Sequence, residues 1–186
     1  MDIFAHGLWA AAAAKGLNKG QRKRRINVWA MALWGMFPDL LAFAIPFIWI
    51  VGSVALGTHS FAEFSPGHAP VSEPAGSDTL WIFQFSHAFY NVGHSLIIFT
   101  IVFFGVWAYF KQARLELLGW LLHILMDVPT HTYAFFPTPV FWPLFDWKFD
   151  GFAWGTPWFM VLNYSLLLLV FALLAMKHRT HPEKTN

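Results

Sequence analysis

Apolar residues run through this chain in long blocks rather than at spaced positions, and polar interruptions separate the blocks. Residues 3–14, IFAHGLWAAAAA, form a short apolar segment that Asp2 can cap and that Lys15-Gly16 can end. At about 1.5 Å per residue it rises about 18 Å, too short for a hydrocarbon core of about 30 Å. It is either a half-helix buried among other helices or a helix lying in the interface. Four longer blocks follow, at 27–51, 80–110, 115–136 and 157–176. Each has the length of a membrane span. Between them lie a basic loop, Lys15–Arg25, a polar Pro/Gly/Ser/His-rich stretch at 52–79, and a Pro- and aromatic-rich connection at 137–156. No internal repeat is evident. The pattern predicts an all-α polytopic membrane protein, a single domain over 1–186, with four transmembrane helices and an N-terminal half-helix.

Composition narrows this reading. Hydrophobic residues make up 57% of the 186 and charged residues only 12%, about half the charged share of a soluble domain. Such a chain cannot cover a water-facing surface, so a soluble, disordered or nucleic-acid-binding protein is not expected; its partner is the lipid bilayer. Cysteine is absent, which removes disulfides, iron–sulfur clusters and thiolate zinc sites. Met1-Asp2-Ile3-Phe4 lacks a basic n-region, so a cleaved signal is not expected.

Charge adds an orientation. The net charge is +2, and the basic residues other than Lys148, which falls on the outer side, lie in three clusters: Lys15–Arg25, Lys111 with Arg114, and Lys177, Arg179 and Lys184. In an alternating four-span topology all three lie on one side. The positive-inside rule makes that side cytoplasmic, in a bacterial-type inner membrane with the C-terminus inside and the loops 52–79 and 137–156 outside.

Ionisable residues within the blocks supply the candidate chemistry: His6, Asp39, His87, His94, His123, Asp127 and His131. Such groups are costly in a membrane and are functional by default. His123 and Asp127 stand at i, i+4 on one helix face, and His131 adds a further step beyond Pro129. Asp39 follows Pro38, whose missing N–H frees a carbonyl one turn back. His87, nearer the outer interface, reads as a packing residue, and taken alone His6 reads as an interfacial histidine. Depth arithmetic draws the others together. Counted from the basic ends at about 1.5 Å per residue, His6 lies about 13 Å in, Asp39 about 18 Å, His94 about 25 Å, and His123 and Asp127 about 13 and 20 Å. Buried carboxylates must pair or bind metal. No Lys or Arg lies at that depth, so a divalent cation is expected there.

These residues resemble the YdjM-like family of predicted membrane-bound metal-dependent hydrolases. The shared elements are Ala5-His6-Gly7, Pro38-Asp39, His94-Ser95, the block Gly119-Trp120-Leu121-Leu122-His123-Ile124-Leu125-Met126-Asp127, and the downstream Phe136-Pro137. That family is similar in turn to zinc-dependent phospholipase C in its order of His, Asp, His and His-x-x-x-Asp. The resemblance implies His6, Asp39, His94, His123 and Asp127 as metal ligands, with Asp127 in position to bridge two ions. His131 is implied as a sixth ligand or proton-transfer group. Here Tyr90-Asn91-Val92-Gly93-His94-Ser95 stands where many members carry His-Arg-Gly-x-x-His-Ser, and without that His and Arg the resemblance does not carry over a second metal or a phosphate-clamping Arg.

The enzyme expected is a zinc-type hydrolase, with manganese the second choice of metal. Its catalytic residues would be Asp39, Asp127 and His131, and its substrate a phosphoester of an amphiphile. The outer loop, with His59, Glu63 and His68, is either a lid or a plain connection. Asp146, Lys148 and Asp150 lie in what reads as an interfacial aromatic belt. No G-x-S-x-G elbow, P-loop or dinucleotide fingerprint occurs. Asn163-Tyr164-Ser165 matches a glycosylation acceptor but lies inside the last span. Two other uses of the His/Asp cluster stay open: proton or metal-ion transport, and a closed structural metal site.

Overall fold

The computed structural model describes residues 1–19, 25–64 and 80–180, with side chains as far as 176. Arg22-Lys23-Arg24, the loop residues His68, Glu73 and Asp78, Lys184, and the side chains of Lys177 and Arg179 therefore lie outside the described residues. Six α-helices follow in order: α1 (Ile3–Asn18), α2 (Val28–Ala55), α3 (Trp81–Gly93), α4 (Leu96–Phe110), α5 (Leu118–Thr130) and α6 (Pro157–Thr180). Short 3-10 turns cover Phe61–Phe64 and Leu115–Leu117. The expectation of an all-α fold holds among the described residues.

The span count is lower than expected. α2, with 28 residues, and Pro157–Met176 of α6 are long and apolar enough to cross a membrane. α3 and α4 make a third crossing only if counted as one span, because they meet at an angle of 60°. The block at 115–136 forms a helix of just 13 residues, rising about 20 Å. Pro129 and the extended backbone of His131 end it. Gly151 N–H and Phe152 N–H then bond to the carbonyls of His131 and Pro129, at 2.8 and 3.0 Å, and Trp154 N–H bonds to that of Thr130, at 3.1 Å. A helix end inside a bilayer needs such partners, and here the connection supplies them. α1 runs four residues past the expected 14 and is buried among its neighbours along one side.

Small residues bring these pieces together. At Gly35 a Cβ would press on Ala10 and the His6 carbonyl, and at Gly119 it would overlap the Met31 carbonyl oxygen. α1 and α5 thus lie backbone to backbone against α2. Asn18 brackets Ile26, accepting from its N–H at 2.7 Å and donating to its carbonyl at 2.8 Å. Asn27 N–H reaches Glu116 at 3.2 Å, and Lys15 lies over the Phe171 ring at 5.2 Å. The end of α1, the starts of α2 and α5, and the far part of α6 therefore share one end of the molecule. Among the described basic residues, Lys15, Lys19, Arg25, Lys111 and Arg114 mark that end, and Lys148 lies apart from them in the connection after α5.

Gly119→Val is expected to destabilise the fold by about 1–3 kcal/mol, the usual range for overpacking. Gly105→Ala, where a Cβ meets open space, should leave stability unchanged or slightly raised. Thermal unfolding of the purified variants in detergent measures both.

Candidate metal centre

α1 starts, α3 ends, α4 starts and α5 ends at one level, beside Asp39 in the middle turns of α2. The break between α3 and α4 follows from its local partners. Gly93 packs on Pro38, where a Cβ would sit 3.2 Å from the Pro38 Cα, and its carbonyl accepts from Trp120 Nε1. Ser95 caps α4 by accepting from Ile98 N–H at 3.2 Å and donates to the Trp142 carbonyl. Leu96 N–H reaches the Val140 carbonyl at 2.9 Å. His94 is fully buried, and its backbone N–H bonds the Tyr90 carbonyl at 2.9 Å.

Tautomers follow from the acceptors. His94 Nδ1 lies 2.9 Å from the Tyr90 carbonyl and His123 Nδ1 lies 2.7 Å from the Gly35 carbonyl. A carbonyl only accepts, so each Nδ1 carries the hydrogen, and in the neutral ring each Nε2 presents a lone pair. Those two Nε2 atoms face each other at 3.0 Å. Asp127 Oδ2 lies 3.1 Å from His123 Nε2 and 3.4 Å from His94 Nε2. Asp39 Oδ1 lies 3.6 and 3.8 Å from His94 and His123 Nε2. Four acceptors thus converge on one point, and Asp39, His94, His123 and Asp127 form a buried group able to hold a metal ion. Four ligands at about 2.0–2.1 Å in a tetrahedron stand about 3.3 Å apart, and the separations here bracket that value. The donor set fits zinc and also suits manganese.

The remaining candidates sit around the other oxygen of Asp127. His6 Nε2 lies 2.9 Å from Oδ1 and His131 Nε2 lies 3.9 Å from it. Neither nitrogen of the fully buried His6 has a hydrogen-bond partner of good geometry, and its ring stacks on His123 at 3.6 Å. The structure therefore gathers all six predicted site residues, with four in the compact group and His6 and His131 beyond Asp127. His87 is buried and stacks on Phe136 at 4.6 Å, in keeping with a packing role.

Two participants escaped the sequence reading. The amino group of Met1 pairs with Asp127 Oδ1 and lies 3.4 Å from Thr130 Oγ1. Tyr90 is fully buried and serves two histidines. Its carbonyl holds His94, and its ring stacks on the His94 ring at 3.7 Å. Its hydroxyl donates to the Phe136 carbonyl at 2.7 Å and so accepts from His131 Nδ1 at 2.8 Å. His131 Nε2 is thereby left bare on the side of Asp127. The only signal in the sequence is Tyr90 standing one turn before His94.

The outer candidates are placed elsewhere. His59 Nδ1 bonds Glu63 at 2.8 Å; that bond and the Ser60 backbone and hydroxyl donors hold the Glu63 carboxyl down at about 2. Asp146 pairs with Lys148 at 3.3 Å, and Asp150 accepts from Tyr133 N–H at 2.9 Å. Asn163 is buried and accepts from Trp9 Nε1 at 2.8 Å, which ties α6 to α1. No family model, curated protein or solved structure matches the chain.

Tyr90→Phe should keep the ring stack on His94 but leave a buried donor on His131 without its acceptor, at a cost of about 1–3 kcal/mol in stability. Nitrogen-15 NMR of histidine-labelled protein should show Nδ1-protonated rings for His94, His123 and His131 in the parent. In the variant His131 alone should lose that single tautomer.

Proposed function

We propose that the chain is a membrane-embedded metal-dependent hydrolase acting on a phosphoester of an amphiphilic, lipid-type substrate. The reading agrees with the resemblance to YdjM-like membrane-bound hydrolases. The observation that carries it is the 3.0 Å approach of His94 Nε2 to His123 Nε2. In neutral rings, two lone pairs at that distance, walled by two carboxylates, favour a positive charge between them, and the group has the ligand set for a metal ion. A divalent ion there, zinc first and manganese second, supplies a Lewis acid that acidifies water and polarises a phosphoryl oxygen.

The chain's own groups provide the rest. Asp39, His94, His123 and Asp127 are the proposed ligands, and His6 and His131 flank Asp127 Oδ1. His131 Nε2, kept bare by Tyr90, is the proposed general base. The attacking water gives its oxygen to phosphorus and its proton to His131, and the departing alcohol takes that proton back.

An enzyme is favoured over an ion pathway by what lies toward the basic end. There, among the described residues, the site is backed by two apolar clusters. One is built on Ala10, Ala14, Ile26 and Met31, the other on Phe99, Leu117, Trp120 and Ile124. A conduit needs polar groups leading to both faces. The proposed topology has four passes, the third made by α5 with the chain beyond His131, and it places the basic end and the C-terminus in the cytoplasm.

Protein purified without chelators should carry near-stoichiometric zinc or manganese by elemental mass spectrometry. Asp127→Asn should lose it, together with hydrolysis of long-chain alkyl phosphoesters. Absence of metal in the parent after reloading would overturn the reading.

A phosphatase reporter active only outside the cytoplasm, fused to the C-terminus, should stay inactive, and the same reporter inserted in the loop 52–79 should be active. The reverse pattern would invert the topology.

A further inference from the structure

A cavity of about 230 Å³ opens beside the site, lined by Thr130, His131, Phe135, Ala153 and Trp154 among others. Its floor belongs to the centre already described. His131 reaches Asp127 at 3.9 Å, and Thr130 Oγ1 lies 3.4 Å from the amino group paired with that carboxylate. Its walls are the connection that closes the end of α5.

We propose that this cavity receives the hydrocarbon segment next to the phosphoester of a bilayer-borne amphiphile, while the phosphate sits at the metal centre. The proposal takes the nature of the head from the hydrolase reading; the binding of the chain does not depend on turnover. Three observations argue for that occupant. First, the volume is below the roughly 300–1,000 Å³ of pockets that enclose a whole small ligand, so it holds part of a molecule whose remainder lies outside. Second, the walls hold little for a polar group. Thr130 Oγ1 donates to the Met126 carbonyl at 2.9 Å, the backbone N–H of Trp154 is bonded to the Thr130 carbonyl, and the lining holds the Thr132 hydroxyl and His131 but no Lys or Arg. A phosphate placed there would lose its hydration and meet no cationic side chain. Third, the apolar surface continues outward. Phe135, Phe152 and Trp158 on the same stretch of chain are 54%, 37% and 59% exposed, the kind of aromatic surface found at a lipid interface. A chain emerging past Phe135 and Trp154 passes onto lipid-facing rings.

The test uses full-length zinc-loaded protein and a dodecyl phosphoester with a photoactivatable diazirine on the carbons nearest the ester. Labelled positions are read by peptide mass spectrometry. Label should concentrate on residues 130–135 and 152–155, resist competition by inorganic phosphate, and fall at least tenfold in Gly155→Leu. A Cβ at Gly155 meets open space, so that variant should fold; Ala153→Trp is the second cavity-filling variant, and zinc content in both should match the parent. Label spread evenly over α2 and α6, or unchanged by both variants, would overturn the proposal. Labelling without hydrolysis would remove the hydrolase reading and leave the cavity assignment standing. Hydrolysis of a soluble aryl phosphate with no label in the cavity would do the opposite.

Discussion

Everything at the centre of this molecule depends on where two imidazole hydrogens go. His94 and His123 each give their Nδ1 hydrogen to a backbone carbonyl, of Tyr90 and of Gly35. That commitment turns both Nε2 lone pairs inward, toward each other and toward Asp127 and Asp39. Neutral imidazoles free to rotate would instead hydrogen-bond the carboxylates and quench the site. Carbonyl anchoring keeps four acceptors aimed at one point.

Free carbonyls are scarce in a helix, so the anchoring constrains the fold. Gly35 lies in the turn before Pro38, whose missing N–H removes the intrahelical donor of the adjacent Trp34 carbonyl, and its own carbonyl accepts from His123 Nδ1. Tyr90 lies in the last turn of α3, where its carbonyl accepts from both the backbone N–H and the Nδ1 of His94, each at 2.9 Å. Helices that break in mid-molecule are costly in a bilayer unless the freed groups find protein partners. The connection after α5 provides these. Its backbone bonds to residues 129–131 close α5, and the Val140 and Trp142 carbonyls serve Leu96 N–H and the Ser95 hydroxyl at the start of α4. A stretch that reads as an interfacial belt is therefore also the scaffold that allows half-helices to end at the site.

This explains which features were legible in the sequence. Asp39, His123 and Asp127 could be read because they are charges or i, i+4 pairs in apolar runs, and a depth count needs only the helical rise. His94 could be read for the same reason, but the bend at Gly93-His94-Ser95 could not. Hydropathy measures how apolar a run is, and the rings on both sides of the bend are equally apolar. The block at 115–136 does not form one long helix, because its length includes apolar residues beyond Thr130 that are not helical. Tyr90 carries no charge, so its double service to His94 and His131 appears only when α3 and the chain after α5 are seen side by side. The amino group of Met1 is invisible to any count of side chains.

The asymmetry of polar groups about the site carries the functional weight. Toward the basic end, α1, α2 and α5 close on one another through Gly35 and Gly119, and rings and aliphatic chains fill the space that remains. Away from that end lie His131, Thr130 and the apolar cavity. Ions crossing the molecule would have to pass the packed side, where α1 and α5 lie closest to α2. A molecule approaching from the lipid meets a surface of aromatic rings, then a cavity with few free donors, and then a bare imidazole nitrogen 3.9 Å from a buried carboxylate. Polarity along that route rises from hydrocarbon to charge, which is the order of parts in an amphiphile whose head reacts and whose tail stays in the membrane.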